Sequence, residues 1–292
     1  MSPRRSPGAL RRGVGESAGP RGPASGKTRA LGQHFLHDPE VASRIVAIVG
    51  PTPRDLVIEI GPGTGALTGL LAGSGARLIA LEVDGGLAAR ARERFAAWTG
   101  VEIRQADARH VDYAALATLR PEPGGRVLAV GNLPYSVGKP IVLALLAAGR
   151  AIDEMALMLQ REVAERLAAA PGGKTYGALS VLTQVQCDVR VVLTVPPGAF
   201  RPPPQVESAV IHLRALPAPP VPIADPGRFR AVVKAAFAQR RKTLANSLAA
   251  GLGLPIEQVK MHAERAGIAP GRRAEALEIA DFARLADLMS AM

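Results

Sequence analysis

From Leu31 to about Leu213 the chain alternates short apolar runs with stretches of helical periodicity, and nothing else in it restricts the fold as much. Leu56-Val57-Ile58-Glu59-Ile60 reads as a first strand, and the glycines after it open a helix over Ala66 to Ala72. Arg77 to Val83 reads as a second strand, Ala88 to Trp98 as a helix, Val101 to Gln105 as a third strand and Val127 to Val130 as a fourth. Strands separated by helices predict parallel pairing, with helices on both faces of one sheet. Ligands of such sheets bind at the carboxyl ends of the strands, so those ends are where chemistry is expected.

Asn132-Leu133-Pro134-Tyr135 follows the fourth strand. It offers an amide oxygen, a backbone carbonyl from Leu133 or Pro134, and an aromatic ring. Two acceptors and a stacking face suit the exocyclic amine of a nucleobase. The lone pair of such an amine is delocalised into the ring. Acceptors on both its hydrogens favour a pyramidal nitrogen that can attack an electrophile.

Glu59-Ile60-Gly61-Pro62-Gly63-Thr64-Gly65 lies between the first strand and its helix. Its glycines let the backbone approach a ligand closely. The spacing is GxGxG and departs from the dinucleotide GxGxxG, which disfavours a nicotinamide-dependent dehydrogenase. Leu81-Glu82-Val83-Asp84 ends the second strand with a carboxylate able to accept from both hydroxyls of a ribose. Asp107, just past the third strand, can accept from an adenine amine. Together these strand ends fit an adenosine-containing ligand. Upstream, in Gly32-Gln33-His34-Phe35-Leu36-His37-Asp38, Asp38 reads as a helix cap before Pro39.

Net charge is +11 over 292 residues, which points to a polyanionic partner. Residues 226–273 hold ten Lys and Arg against two acids. Leu216-Pro217-Ala218-Pro219-Pro220-Val221-Pro222 reads as a linker, and the residues after it are helical by periodicity. Residues 1–30 are rich in Arg, Pro, Gly and Ser and read as a disordered basic arm. One cysteine, Cys187, excludes an intramolecular disulfide, and the five histidines show no metal-ligand spacing. No apolar run reaches the roughly 18–20 residues that span a bilayer.

In combination the motifs resemble the ribosomal RNA adenine dimethyltransferase family. The resemblance rests on Gly32 to Leu36, Glu59 to Gly65, Leu81 to Asp84, Gly131 to Tyr135, the proline-rich Val195 to Ser208, and Ala236-Phe237-Ala238-Gln239-Arg240-Arg241-Lys242-Thr243. It runs from about Lys27 to the end of the chain. The resemblance implies an α/β fold: a Rossmann-like class I methyltransferase sheet over residues 31–214, and a small C-terminal α-helical RNA-binding domain over 221–292. It implies S-adenosylmethionine as methyl donor, held by Gln33, His34, Leu36, Gly61, Gly63, Glu82, Asp107 and Asn132. His34 stands where family members usually carry Asn. It also implies a target of two adjacent adenosines in the 3′-terminal hairpin of small-subunit ribosomal RNA, within the immature 30S subunit; a cytoplasmic enzyme without a metal is expected, and nothing in the sequence demands more than a monomer.

Asn132, with Leu133 or Pro134, is expected to hold the target amine. Tyr135 is expected to stack on one face of the base and Phe200 on the other. Arg201, Lys234, Arg240, Arg241 and Lys242 are expected to contact RNA phosphates. Two rival readings are a related methyltransferase acting on large-subunit RNA and a non-catalytic nucleic-acid-binding protein.

Overall fold

The computed structural model describes residues 33–239 and 241–290. The basic arm expected over residues 1–30 and the phosphate contact expected of Arg240 lie outside the described residues.

Seven strands form the main sheet: β2 (Leu56–Ile60), β3 (Arg77–Glu82), β4 (Val101–Gln105), β5 (Val127–Asn132), β6 (Glu154–Gln160), β7 (Cys187–Val195) and β9 (Ser208–Ala215). Their order is β4-β3-β2-β5-β6-β9-β7. The first five positions pair in parallel. The strand β9 runs antiparallel to both β6 and β7, so the all-parallel expectation is corrected to a mixed sheet. The reason is a return of the chain through residues 196–207, which brings β9 back between two strands already laid down. A second, two-stranded ribbon pairs β1 (Phe35–Leu36) with β8 (Phe200–Arg201).

Every residue of β2 is buried, as a central strand covered on both faces requires, and all but Glu59 are apolar. On one face lies a core built on Leu145, Leu157 and Ile211. On the other, Ile45, Leu71 and Val130 form a second core with the ribbon residues Leu36 and Phe200. The helix α1 (Pro39–Val49) starts where Asp38 accepts from the backbone of Glu40 and Val41, with Pro39 in its first turn. The helix α2 occupies Thr68–Gly73, two residues later than periodicity suggests, because Gly63 and Gly65 hold the preceding turn at positive φ. Asp84 accepts from the amides of Gly86 and Leu87, so the helix α3 (Gly85–Arg94) begins ahead of the expected Ala88.

At the amino ends of the strands, away from the glycine turns, Arg126 ties three elements together. Its guanidinium lies 2.8 Å from Asp55 and 3.0 Å from Glu154 and donates to the carbonyls of Val49 and Gly50. Burial works to raise the Asp55 carboxyl, but hydrogen bonds from Arg126 and Thr52 outweigh it and hold the pKa at about 2.

The C-terminal helices α8 (Pro226–Ala236), α9 (Leu244–Leu252), α10 (Ile256–Arg265) and α11 (Ile279–Ser290) enclose their own core around Phe229, Leu248, Val259 and Phe282. Tyr176, Val181, Leu182 and Val185 share that core. The helix Ala178–Gln184 (α7), just before β7, therefore joins the helical part to the sheet.

Candidate active site at the carboxyl edge of the sheet

The chain proceeds outward from β2 through β3 to β4, then returns to the other side of β2 as β5. The sheet thus reverses its winding between β2 and β5, where doubly wound sheets form their ligand crevice. Ile60 pairs with Gly131, so the glycine turn and Asn132 emerge side by side. The pocket at that point is lined by Gln33, His34, Phe35, Gly61, Gly63, Glu82, Asp107, Arg109, Asn132, Leu133, Pro134 and Tyr135.

Gly63 has φ +54°, and a Cβ there would lie 3.0 Å from the Phe35 ring. Only glycine leaves the ring this close to the turn. Glu82 is 2% exposed. Its two carboxylate oxygens accept from Gly63 N at 3.2 Å and Asp84 N at 3.0 Å, which fixes the side chain at the end of β3. Burial raises its pKa, the backbone bonds work against that, and the Asp84 charge adds to the rise. A carboxylate offers about four lone-pair directions, so Glu82 keeps acceptor capacity on the pocket side.

Asp107 lies on the pocket wall, paired with Arg109 at 2.6 Å. The Arg109 bonds outweigh partial burial and hold the Asp107 pKa at about 2. Sequence reasoning did not foresee this partner, and no spacing rule marks it.

Glu59, fully buried in β2, was also not among the expected ligands. Its Oε1 accepts from the Thr68 hydroxyl at 3.0 Å, while Oε2 has no partner. Burial, opposed by the Thr68 bond and reinforced by the Glu82 charge, pushes its pKa up to about 8. It lines a small crevice that shares Phe35, Gly61, Gly63 and Asn132 with the main pocket. A buried acid inside an apolar strand was the available signal.

Asn132 donates from Nδ2 to the His34 carbonyl at 2.9 Å. A carbonyl only accepts, so this bond assigns the amide and leaves Oδ1 as an acceptor at the pocket. The Leu133 amide donates to Met158 at 3.0 Å, and the Pro134 carbonyl accepts from Val137 at 3.1 Å. With the Pro134 carbonyl engaged by Val137, the Leu133 carbonyl is the better placed of the two expected carbonyls. Tyr135 meets the His34 ring at 5.4 Å between centroids. The His34 Nδ1 lies 2.7 Å from the Pro202 carbonyl.

Two expected contacts need correction. Phe200 is 1% exposed and packs in the core with Leu36, Val195 and Val210, so it presents no face to a base. Its pairing with Leu36 in the ribbon turns it inward. The Leu36 side chain is likewise buried in that core and borders the crevice beside Glu59, not the main pocket.

Of the expected phosphate contacts, Arg201, Lys234, Arg241 and Lys242 are exposed. Only Lys242 belongs to a second cavity, which it lines with Lys139, Arg166, Lys174 and Arg273 where the sheet meets the helical part. Lys139 sits in the first turn of α5 (Gly138–Ala147), directly after the Asn132–Tyr135 loop. Among the described residues no group of His, Cys, Asp and Glu could hold a metal, and no helix is long and apolar enough to cross a membrane.

The glycine turn against Phe35, the carboxylate at the end of β3 and the buried, unpartnered Gln33 Oε1 fit a ligand rich in hydrogen-bond donors. Fold and pocket together define a class I methyltransferase, which takes its methyl group from S-adenosylmethionine. The family model for ribosomal RNA adenine dimethylases matches residues 24–291, and the chain belongs to that family.

A curated relative from Syntrophotalea carbinolica, named ribosomal RNA small subunit methyltransferase A, is 46% identical over 89% of this chain and 96% of its own. A solved dimethyladenosine transferase from Plasmodium falciparum has a TM-score of 0.71 at 22% identity, covering 86% of this chain and 96% of that one. The solved 23S rRNA methyltransferase ErmE has a TM-score of 0.64 at 25% identity, covering 88% and 99%.

Proposed function

We propose that the chain transfers methyl groups from S-adenosylmethionine to the N6 amines of two adjacent adenosines in the 3′-terminal hairpin of small-subunit ribosomal RNA, giving N6,N6-dimethyladenosine. It acts as a cytoplasmic monomer on the immature 30S subunit. The observation that carries this reading is Asn132, whose amide is held by the His34 carbonyl so that its oxygen remains as an acceptor beside Tyr135.

Glu82 accepts from the ribose hydroxyls of the donor and Asp107 from its adenine amine. Gly61 and Gly63 let it lie against the backbone, and Gln33 and His34 close the near side. Bound S-adenosylmethionine supplies a methyl carbon already made electrophilic by its sulfonium. The protein's part is placement, which contributes on the order of 7–11 kcal/mol at best. Asn132 Oδ1 and the Leu133 carbonyl accept the two amine hydrogens and leave the nitrogen lone pair free to attack in line. Tyr135 stacks on the base, worth roughly 1–3 kcal/mol. The alkylated amine is acidic and loses its proton to water, so no side chain needs to act as general base. A paired adenosine has to leave its stack to enter the pocket.

Arg201, Lys234, Arg241 and Lys242, with the cluster at Lys139, Arg166 and Arg273, position the RNA through its phosphates. Incubation with labelled S-adenosylmethionine and undermethylated small subunits, followed by mapping of modified bases, tests the proposal. Label confined to two neighbouring adenosines near the 3′ end is the expected result. Label elsewhere refutes it.

A further inference from the structure

Tyr135 sits on the loop between β5 and α5, outside any ladder, so nothing in the backbone pairing sets the direction of its ring. Two side-chain contacts do. Its hydroxyl lies 2.5 Å from the hydroxyl of Ser208. Its ring meets His34 at an interplanar angle of 37°, and His34 is itself fastened to the Pro202 carbonyl. Both fastenings belong to the segment that follows the ribbon strand β8.

Ser208 is a rigid post. It is fully buried and opens β9, where it pairs with Gln160 on one side and Val195 on the other. The residue before it accepts from the Arg161 amide at 3.0 Å, so the backbone is fixed there as well. Removing its hydroxyl deletes one oxygen from a site closed to solvent, and with it the bond to Tyr135.

Resting on the methyl-transfer reading above, we infer that Ser208 is a positioning residue for the methyl acceptor and acts through Tyr135. It tethers the phenol so that the ring presents its face to the target base. The hydroxyl is thereby occupied in aiming the ring and takes no part in proton transfer. The Tyr135–Ser208 bond lies outside the glycine turn and outside Glu82 and Asp107, so its loss should leave those donor contacts in place. The tether also joins two segments 73 residues apart, the acceptor loop and the start of β9.

A double-mutant cycle tests this on the full chain. Ser208→Ala and Tyr135→Phe should each lower kcat for methyl transfer to undermethylated small subunits about tenfold, the equivalent of about 1.4 kcal/mol and in the range of one hydrogen bond. The S-adenosylmethionine Kd by calorimetry should stay within about twofold of wild type. The double variant should be no slower than either single one, since both remove the same bond. Losses that multiply to about a hundredfold, an unaltered kcat in Tyr135→Phe, or a fall in donor affinity matching the fall in kcat would each overturn the tether. Tyr135→Phe alone keeps the test decisive if Ser208→Ala does not fold. An inactive wild type would instead overturn the methyl-transfer reading.

Discussion

Asn132→Ala separates chemistry from donor binding more cleanly than any other single change. The wild-type amide does two things. Its nitrogen donates to the His34 carbonyl at 2.9 Å, and its oxygen is left as an acceptor at the pocket. The first is one neutral hydrogen bond, whose loss costs about 0.5–1.5 kcal/mol and at most loosens the His34 end of the donor site. That is a rise in S-adenosylmethionine Kd of roughly tenfold or less. The second acts where the amine changes geometry. A preorganised polar group aimed at a reacting centre is worth about 2.7–4 kcal/mol, or 10²–10³ in kcat. Single-turnover transfer from labelled donor to undermethylated small subunits gives the rate, and calorimetry gives the donor affinity. The expected pattern is a rate loss at least tenfold larger than the affinity loss. A rate within about threefold of wild type, or equal losses in both, would show that Asn132 is a donor-site residue and that the amine is gripped elsewhere.

Three further outcomes follow from the charges. Glu59 holds a proton in the folded protein up to a pKa of about 8, whereas the unfolded chain releases it near 4.5, so stability of the donor-free protein should fall as pH rises between those values. Glu59→Gln should flatten that slope in urea melts at pH 5.5 and 8.5, and an unchanged slope would place its origin elsewhere. Arg126→Met leaves the buried carboxylates of Asp55 and Glu154 without their shared cation and should cost about 3–5 kcal/mol in the same melts; a loss under about 1 kcal/mol would contradict that. Lys242→Ala should weaken RNA binding and lower the salt slope of log K by about 0.7–0.9, and an unchanged slope would remove Lys242 from the phosphate contacts.

The first half of the sheet is written locally in the sequence. Leu56–Ile60 and Val101–Gln105 are strands with the bounds that the sequence suggests, the first a mostly apolar run buried throughout and the second an edge strand in which Val101 and Ile103 alternate with Glu102 and Arg104. The class of fold and the position of Asn132 follow from that pattern. The mixed pairing does not, since nothing within Ser208–Ala215 encodes that it inserts between β6 and β7.

The site divides in the same way. Gly63 and Glu82 are legible because a strand-to-helix turn with glycine and a strand ending in an acid are local signals. Phe200 misled because an aromatic residue beside prolines looks the same whether it points into a pocket or, through its ribbon with Leu36, into the core. Ser208 depends on a neighbour 73 residues away that only the folded chain brings to it.

A structure of the protein with S-adenosylhomocysteine and an adenosine-bearing RNA hairpin tests the central claim most directly. The account predicts the cofactor ribose on Glu82, and an unstacked adenine against Tyr135 with its amine between Asn132 Oδ1 and the Leu133 carbonyl, facing the sulfur. An adenine held anywhere else, with the Asn132–Tyr135 loop closed over an empty space, would contradict it.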